Sequence, residues 1–380
     1  MRLALVVERF EPGAGGVENA AFSIARGLAR AGDRVVVLAR RGAASALPGV
    51  EFQRLAVPSA WQPLRVLAFS RAAARAARRG GYDLVYSLAR TEHQDVYRAG
   101  AGSHLDYLER RYAGAALRLR RLSPRHAALL TLERRALGGA TRVVECRSEM
   151  VRAELARRHG LPASRSVCLP GGVDLEAFHP ARRAAEGAAL RRALGAGAEP
   201  VWLFAGSGFA RKGLDVALRA LAAGGPRAAR LWVAGADPPD PWRRLARRLG
   251  VEERVRFLGF RRDLPALCAA ADALVLPTRY DAFANVCLEA AAAGLPVATS
   301  RANGAAELLL GCGPAPLEPE DASGFAAALD ALSERTARER WGEAARAVAE
   351  RHGWDTHVAA LRALFARVRA ERDAAGAPAA

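Results

Sequence analysis

Residues 273–300 read ALVLPTRYDAFANVCLEAAAAGLPVATS. Ala273 to Pro277 is a short apolar run, and the loop behind it carries Tyr280 and Asp281. An Ala-rich helical segment follows and is closed by Gly294, and a second apolar run spans Pro296 to Ser300. Strand, helix and strand in this order predict a βαβ unit whose two strands lie parallel and buried on both faces.

Outward from that unit the same alternation continues. The runs Val201 to Ala205, Leu231 to Ala234 and Val255 to Leu258 precede it, each followed by a segment of helical period. An earlier series comprises Leu3 to Val7, Val35 to Ala39, Val50 to Val57, Leu84 to Ser87, Val143 to Cys146 and Val167 to Leu169. The series break near Pro170-Gly-Gly-Val-Asp174. The pattern therefore predicts an α/β protein of two Rossmann-like, doubly wound domains facing a cleft, residues 1–172 and 173–353. Arg182 to Gly197 reads as an Ala/Arg helix linking into the second domain. The last helix, Asp355 to Arg372, ends in an Ala/Gly/Pro tail expected to fray.

Composition agrees. A length of 380 residues, 51% of them hydrophobic, suffices for two cores. The five cysteines are scattered without CxxC spacing, which indicates neither a disulfide framework nor a zinc site and fits a reducing cytoplasm. The run RLALVV at residues 2–7 is too short for a signal or membrane segment.

A net charge of +18 calls for an anionic partner. No recognised nucleic-acid motif is present and aromatic residues make up only 6%, so nucleic acid is not the expected partner. Residues 107–135 interleave Arg110, Arg111, Arg118, Arg120, Arg121 and Arg125 with Tyr107, Leu108, Tyr112, Leu117, Leu119 and Leu122. Such a basic amphipathic stretch suits an anionic membrane surface, and equally a solvated helix face.

In this architecture chemistry sits in the loops that follow strands. The first, Glu8 to Asn19, contains Gly13, Gly15 and Gly16 ahead of an amphipathic helix, which allows close backbone approach to an anion. It lacks GxGxxG spacing, and no acid closes the second strand, so an NAD enzyme is disfavoured. The loop Gly206-Ser-Gly-Phe-Ala-Arg211-Lys212-Gly213-Leu-Asp215 holds the only lysine among 57 basic residues. A compact ammonium beside a guanidinium fork, with glycines freeing backbone amides, suits a diphosphate. It is not a Walker motif. In the opening stretch, amides from Phe283, Ala284, Asn285 and Val286 would point at an anion, and Glu289 would accept from sugar hydroxyls.

Together these residues resemble the retaining GT-B glycosyltransferases, whose signature is an acid, seven residues, then Glu, with an Ala-rich helix and Gly-x-Pro-Val. Pro170-Gly-Gly-Val-Asp174 is similar to the family's interdomain segment, Gly15-Gly16-Val-Glu18 to its donor and acceptor loop, and Phe257-Leu-Gly259-Phe-Arg261-Arg262-Asp263 to its base-binding loop. Phe209-Ala-Arg211-Lys212-Gly-Leu-Asp215 and Leu88 to Gly100 most resemble the lipopolysaccharide core glucosyltransferases that glucosylate inner-core heptose.

The resemblance implies a nucleotide-sugar donor, UDP-glucose, and a saccharide acceptor on a membrane-anchored glycolipid. It implies no cofactor and no metal, an enzyme in the cytoplasm on the inner face of the membrane, and a helix within 354–380 crossing back to the first domain. Arg211, Lys212 and Asp281 would act at the leaving group and hexose, with Gly15, Gly16 and Gly206 close to the donor. Arg261 would meet the base through backbone groups, Glu289 would hold the ribose, and Asp95, with His93 and His104 nearby, would position or deprotonate the acceptor. Three positions depart from the pattern: Asp281 for Glu, Ala284 for Gly and Gly172 for Asn. A nucleotide-sugar epimerase of the same fold would share the nucleotide loops, and a basic nucleic-acid-binding protein would share the charge.

Overall fold

The computed structural model describes every residue except 14, 43–46, 59–60 and 377–380, and omits the side chains of 375 and 376. The chain divides into two compact units, Met1–Gly172 with Trp354–Ala380, and Val173–Gly353.

Among the described residues the first unit is built on seven parallel strands, β1 (Arg2–Phe10), β2 (Arg34–Gly42), β3 (Val50–Arg54), β4 (Leu84–Ser87), β5 (Val96–Ala99), β6 (Val143–Cys146) and β7 (Ser166–Cys168). They pair in the order β3-β2-β1-β4-β5-β6-β7. Leu3 to Val7 and Val35 to Ala39 are buried throughout, so both faces of the sheet are covered, as apolar runs without alternation require. β1 and β2 run beyond their apolar cores because pairing continues through Arg9↔Arg41 and Phe10↔Gly42. β5 has no counterpart among the expected strands: Val-Tyr-Arg-Ala carries a buried arginine, whose charge hid it.

The helix Trp354–Gly376 belongs to this unit, with Val358, Leu361, Leu364, Phe365 and Val368 in its core. Phe365 meets the ring of Tyr86 at 5.2 Å, and Arg362 donates to Asp33 at 2.9 Å. The basic stretch 107–135 is divided among three helices, His104–Arg111, Gly114–Leu122 and Pro124–Ala136. Ser123 accepts from the His126 amide at 3.4 Å and Pro124 opens the third helix, which makes a continuous helix impossible there.

The second unit has five parallel strands, β8 (Val201–Ala205), β9 (Arg230–Ala234), β10 (Val255–Gly259), β11 (Ala273–Leu276) and β12 (Val297–Thr299), in the order β10-β9-β8-β11-β12. The segment Arg182 to Gly197 is no linker. It holds the short helix Glu186–Ala193, and Arg183 and Arg191 both bind Asp272, which in turn accepts from the Val201 amide at 2.8 Å. Guanidinium groups that look solvated in the sequence thus anchor this segment to the sheet. No helix among the described residues is long and apolar enough to cross a membrane.

Strand order reverses between β1 and β4 in one unit and between β8 and β11 in the other. In an open parallel sheet the loops leaving such a pair of strands diverge and leave a crevice at the carboxyl edge. The fold therefore puts the loops 206–213 and 277–284 side by side.

Candidate active site

The loop after β8 turns on glycines at two points of close approach. At Gly206 (φ +129°) a Cβ would lie 2.6 Å from the Lys212 Cε, and at Gly213 (φ +76°) it would lie 2.0 Å from the Pro277 carbonyl oxygen. Without side chains there, the Lys212 stem folds inward and the loop presses against the end of β11. Lys212 is only 7% exposed. Its Nζ donates to Asp281 Oδ2 at 3.0 Å, and Arg211 Nη1 donates to the same oxygen at 2.8 Å and to the Tyr280 carbonyl at 2.8 Å.

Two cations thus share one carboxylate, leaving one positive charge in excess in a largely buried pocket. Burial alone would raise the Asp281 carboxyl; Lys212 and Arg211 outweigh it and hold the group well below the usual carboxylate range. Arg279 fixes the arrangement from behind. Its guanidinium grips both Asp215 oxygens at 2.9 Å, and its amide donates to the Arg211 carbonyl at 2.8 Å. A bidentate pair of this kind sets angle as well as distance.

The loop after β11 leads into the helix Asn285–Ala292. Asp281 pairs with Asn303 as an isolated parallel bridge, its amide donating to the Ala302 carbonyl at 3.0 Å, and Phe283 N–H donates to Asp281 Oδ1 at 3.3 Å. Ala284 has φ −70°, so the methyl group that replaces the usual hydrogen costs no backbone strain. The expectation that its amide faces an anion is corrected by the structure: Ala284 N–H donates to Asn303 Oδ1 at 3.1 Å. Asn303 is a site residue that the sequence reading missed. Buried, it also accepts from Ala305 N–H and donates to Cys287 Sγ and Thr299 Oγ1. The Asn-Gly dipeptide at 303–304 was the available signal.

Glu289 is half-buried on that helix, and among the described residues its carboxyl makes no hydrogen bond or ion pair. Burial pushes its pKa up to about 7, against the opposing pull of Lys212. An acceptor in that condition gains from a ligand hydroxyl. At the end of β10, the Arg261 guanidinium is engaged by Asp263, with Nε 2.7 Å from Oδ1, which leaves the loop's backbone and the exposed ring of Phe260 for a ligand.

In the first unit, Gly15 caps the helix Gly16–Arg30 with extended backbone, and a Cβ on it would lie 2.7 Å from Glu18 Oε2. Arg9 holds Glu18 at 2.8 Å, and Asn19 Oδ1 accepts from Gly13 N–H at 2.7 Å. Asp95 requires correction. It precedes β5, its Oδ2 accepts from Val85 N–H at 2.8 Å, and its own amide donates to the Val85 carbonyl at 2.9 Å. That is the amino edge of β4 and β5, opposite the edge where ligands collect, so Asp95 stitches strands and does not act on an acceptor. His104 is likewise a packed residue: its Nε2 lies 3.0 Å from His126 Nδ1, and burial together with Arg90 lowers its pKa to about 4.

The model of glycosyl transferases group 1 matches residues 199–335, and that of Glycosyltransferase Family 4 matches residues 14–177. A probable transglycosylase of Burkholderia thailandensis is 32% identical over 369 residues, 94% of this chain and 95% of that protein. The chain belongs to the group 1 glycosyltransferases and has their two-domain GT-B fold.

Within that family it stands close to the lipopolysaccharide core glucosyltransferases. It is 39% identical to the lipopolysaccharide glucosyltransferase WaaG of Escherichia coli over 152 residues, which span 38% of this chain and 40% of that one. The crystal structure of WaaG superposes with a TM-score of 0.83 at 25% identity over 96% of this chain and 99% of that one. An Anabaena protein crystallised with UDP and glucose shares the fold, with a TM-score of 0.74 at 21% identity over 97% and 100% of the two chains.

Proposed function

We propose that the chain transfers a hexose, glucose from UDP-glucose, with retention of anomeric configuration, to a saccharide acceptor on lipopolysaccharide or another glycolipid. The observation that carries this reading is the largely buried Lys212–Asp281–Arg211 cluster at the β8/β11 switch point, with the half-buried carboxyl of Glu289 close enough to Lys212 to feel its charge. As the bond from the anomeric carbon to the β-phosphate oxygen breaks, the sugar gains oxocarbenium character and the diphosphate gains negative charge. The excess positive charge of the cluster and the amino end of the helix Asn285–Ala292 stabilise that leaving group, so the reading requires no metal.

Asp281, bound by two cations, is a poor nucleophile. That favours attack by the acceptor hydroxyl on the face the diphosphate leaves, its proton passing to the departing phosphate oxygen. Phe260 and the Arg261 backbone meet the base, Glu289 the ribose and Gly206 the phosphates. The first unit takes the acceptor. The Anabaena fold relative, crystallised with UDP and glucose, agrees with a uridine donor.

Calorimetric titration with UDP, GDP and ADP tests the donor, with UDP expected to bind most tightly. A Glu289 carboxylate that accepts ribose hydroxyls favours the bound state only when ionised. Because the free group has its pKa at about 7, UDP affinity rises with pH to that point and levels above it, by about tenfold between roughly pH 6 and pH 8. Glu289→Gln removes this component. A pH profile identical in wild type and variant rules out Glu289 as the ribose acceptor, and equal binding of the three nucleotides rules out the uridine reading.

The basic stretch 107–135 supports an anionic membrane surface as second partner, with the enzyme peripheral on the cytoplasmic side. The helix Gly114–Leu122 buries none of its residues, and Leu119 and Leu122 are 72% and 80% exposed beside Arg118, Arg120 and Arg121. Exposed leucines flanked by guanidinium groups pair apolar insertion with headgroup attraction. Leu119→Asp with Leu122→Asp should abolish sedimentation with phosphatidylglycerol vesicles. Retained sedimentation would show that another surface is responsible.

A further inference from the structure

The strand order β10-β9-β8 places the loop after β9, residues 235–239, between the loop that carries Lys212 and the loop that carries Phe260 and Arg261. Backbone hydrogen bonds run from it in both directions. Gly206 N–H donates to the Ala234 carbonyl at 2.9 Å on one side, and Gly235 N–H donates to the Gly259 carbonyl at 2.9 Å on the other. A Cβ on Gly235 would lie 2.5 Å from Phe209 Cε1 and 2.6 Å from the Gly206 carbonyl oxygen, so the loops after β8 and β9 touch with no space for a side chain. Pro238 and Pro239 stiffen the exit, since each fixes its own φ and Pro238 disfavours a helical Asp237.

Side-chain bonds complete the junction. Ser207 Oγ accepts from Ala236 N–H at 3.1 Å, and Asp237 Oδ2 accepts from Gly208 N–H at 2.6 Å. The bond to Asp237 is the informative one, because the carbonyl of the same Gly208 accepts from the Lys212 N–H at 2.9 Å. Asp237, Gly208 and Lys212 thus form one hydrogen-bonded line, which ends at the ammonium bound to Asp281. A carboxylate on a backbone amide makes a short, charge-assisted bond, and such a bond sets where the amide lies.

We infer that Asp237 is a positioning residue of the donor site: by holding Gly208 it fixes the loop 206–213 in the conformation that carries Lys212 to the diphosphate. The inference rests on the reading of that loop as the diphosphate site, and it adds a residue outside the loop on which the loop's geometry depends. The charge of Asp237 has the same sign as the diphosphate and opposes its binding. What the residue supplies is an acceptor oxygen at a fixed place.

The test is calorimetric titration of the full chain with UDP and with uridine, which lacks the phosphates, with the melting temperature as folding control. Asp237→Ala should bind UDP about tenfold more weakly than the wild type, the order of one charge-assisted hydrogen bond, and uridine equally well. Asp237→Asn keeps an oxygen for the Gly208 amide and should bind UDP at least as tightly as the wild type. In a Lys212→Ala background, Asp237→Ala should change UDP affinity by less than about twofold, because the residue acts through the lysine. The same loss in both backgrounds overturns the positioning role. So does an Asp237→Asn variant as weak as Asp237→Ala, which would make the charge the active feature. Equal loss of UDP and uridine affinity overturns it as well, since the effect would then lie in the base loop or in folding. A wild type that binds neither UDP nor uridine strikes the donor reading and this inference with it. A wild type that binds UDP, beside an Asp237→Ala variant that binds it equally well, strikes this inference alone.

Discussion

Lys212→Ala should fold normally and turn over about 10² to 10³ times more slowly. The side chain reaches the cluster only through its ammonium, 3.0 Å from Asp281 Oδ2, and Arg211 remains to hold that carboxylate in the variant. The buried charge is therefore still compensated and the loop keeps its clamp from Arg279. What disappears is the excess positive charge that stabilises the departing diphosphate. Since that charge matters more as the bond breaks than in the bound donor, kcat should fall more than KM rises. Lys212→Arg should not restore the rate. The lysine stem runs where a Cβ on Gly206 would be 2.6 Å away, so a broad guanidinium has no room to turn toward the phosphate. Turnover of UDP-glucose with circular dichroism as the folding control measures this, and near wild-type kcat in Lys212→Ala would remove the cluster from the mechanism.

What was legible in the sequence follows from which forces act locally. β4 and β8 begin and end where their apolar runs do, because a strand covered on both faces is mostly apolar, and β6 does so even with the buried Glu145 inside it. The glycines of the loop 206–213 were legible because close approach of Lys212 and of the Pro277 carbonyl excludes a Cβ there. β5 was not, because Arg98 inside it is buried against Glu145 at 3.4 Å, a pairing separated by 47 positions in the chain. Missing β5 also misplaced Asp95. An acid one residue before a strand lies at the amino edge, and the same acid in a loop after a strand would lie at the ligand edge.

Arginine was equally misleading. A count of charge treats each guanidinium as seeking an outside partner, yet many tie backbone together. Arg165 donates to the carbonyls of Leu137, Gly138 and Thr141, and Arg346 to those of Leu175, Phe178 and Ala292. Five fixed donors suit that task where an ammonium does not. The net charge of +18 is thus partly a by-product of internal stapling.

Asp281→Ala should destabilise the second unit by about 3–5 kcal/mol, the usual cost of leaving a buried charge without its partner. Here two cations lose the same carboxylate, and Lys212, nearly buried, cannot turn to water. The effect has a direction in pH. The carboxyl is held below its unfolded value of about 3.9, so its contribution is complete above that value and is lost as pH falls through the folded pKa. The gap between wild type and variant in denaturant midpoint should therefore be constant near neutrality and narrow in acid. A nucleoside diphosphate supplies the missing anion. UDP should raise the melting temperature of Asp281→Ala more than that of the wild type, whereas in Lys212→Ala it should raise it less. If Asp281→Ala melts with the wild type and gains no more from UDP, the carboxylate does not organise the two cations, and the donor site must be built on other contacts.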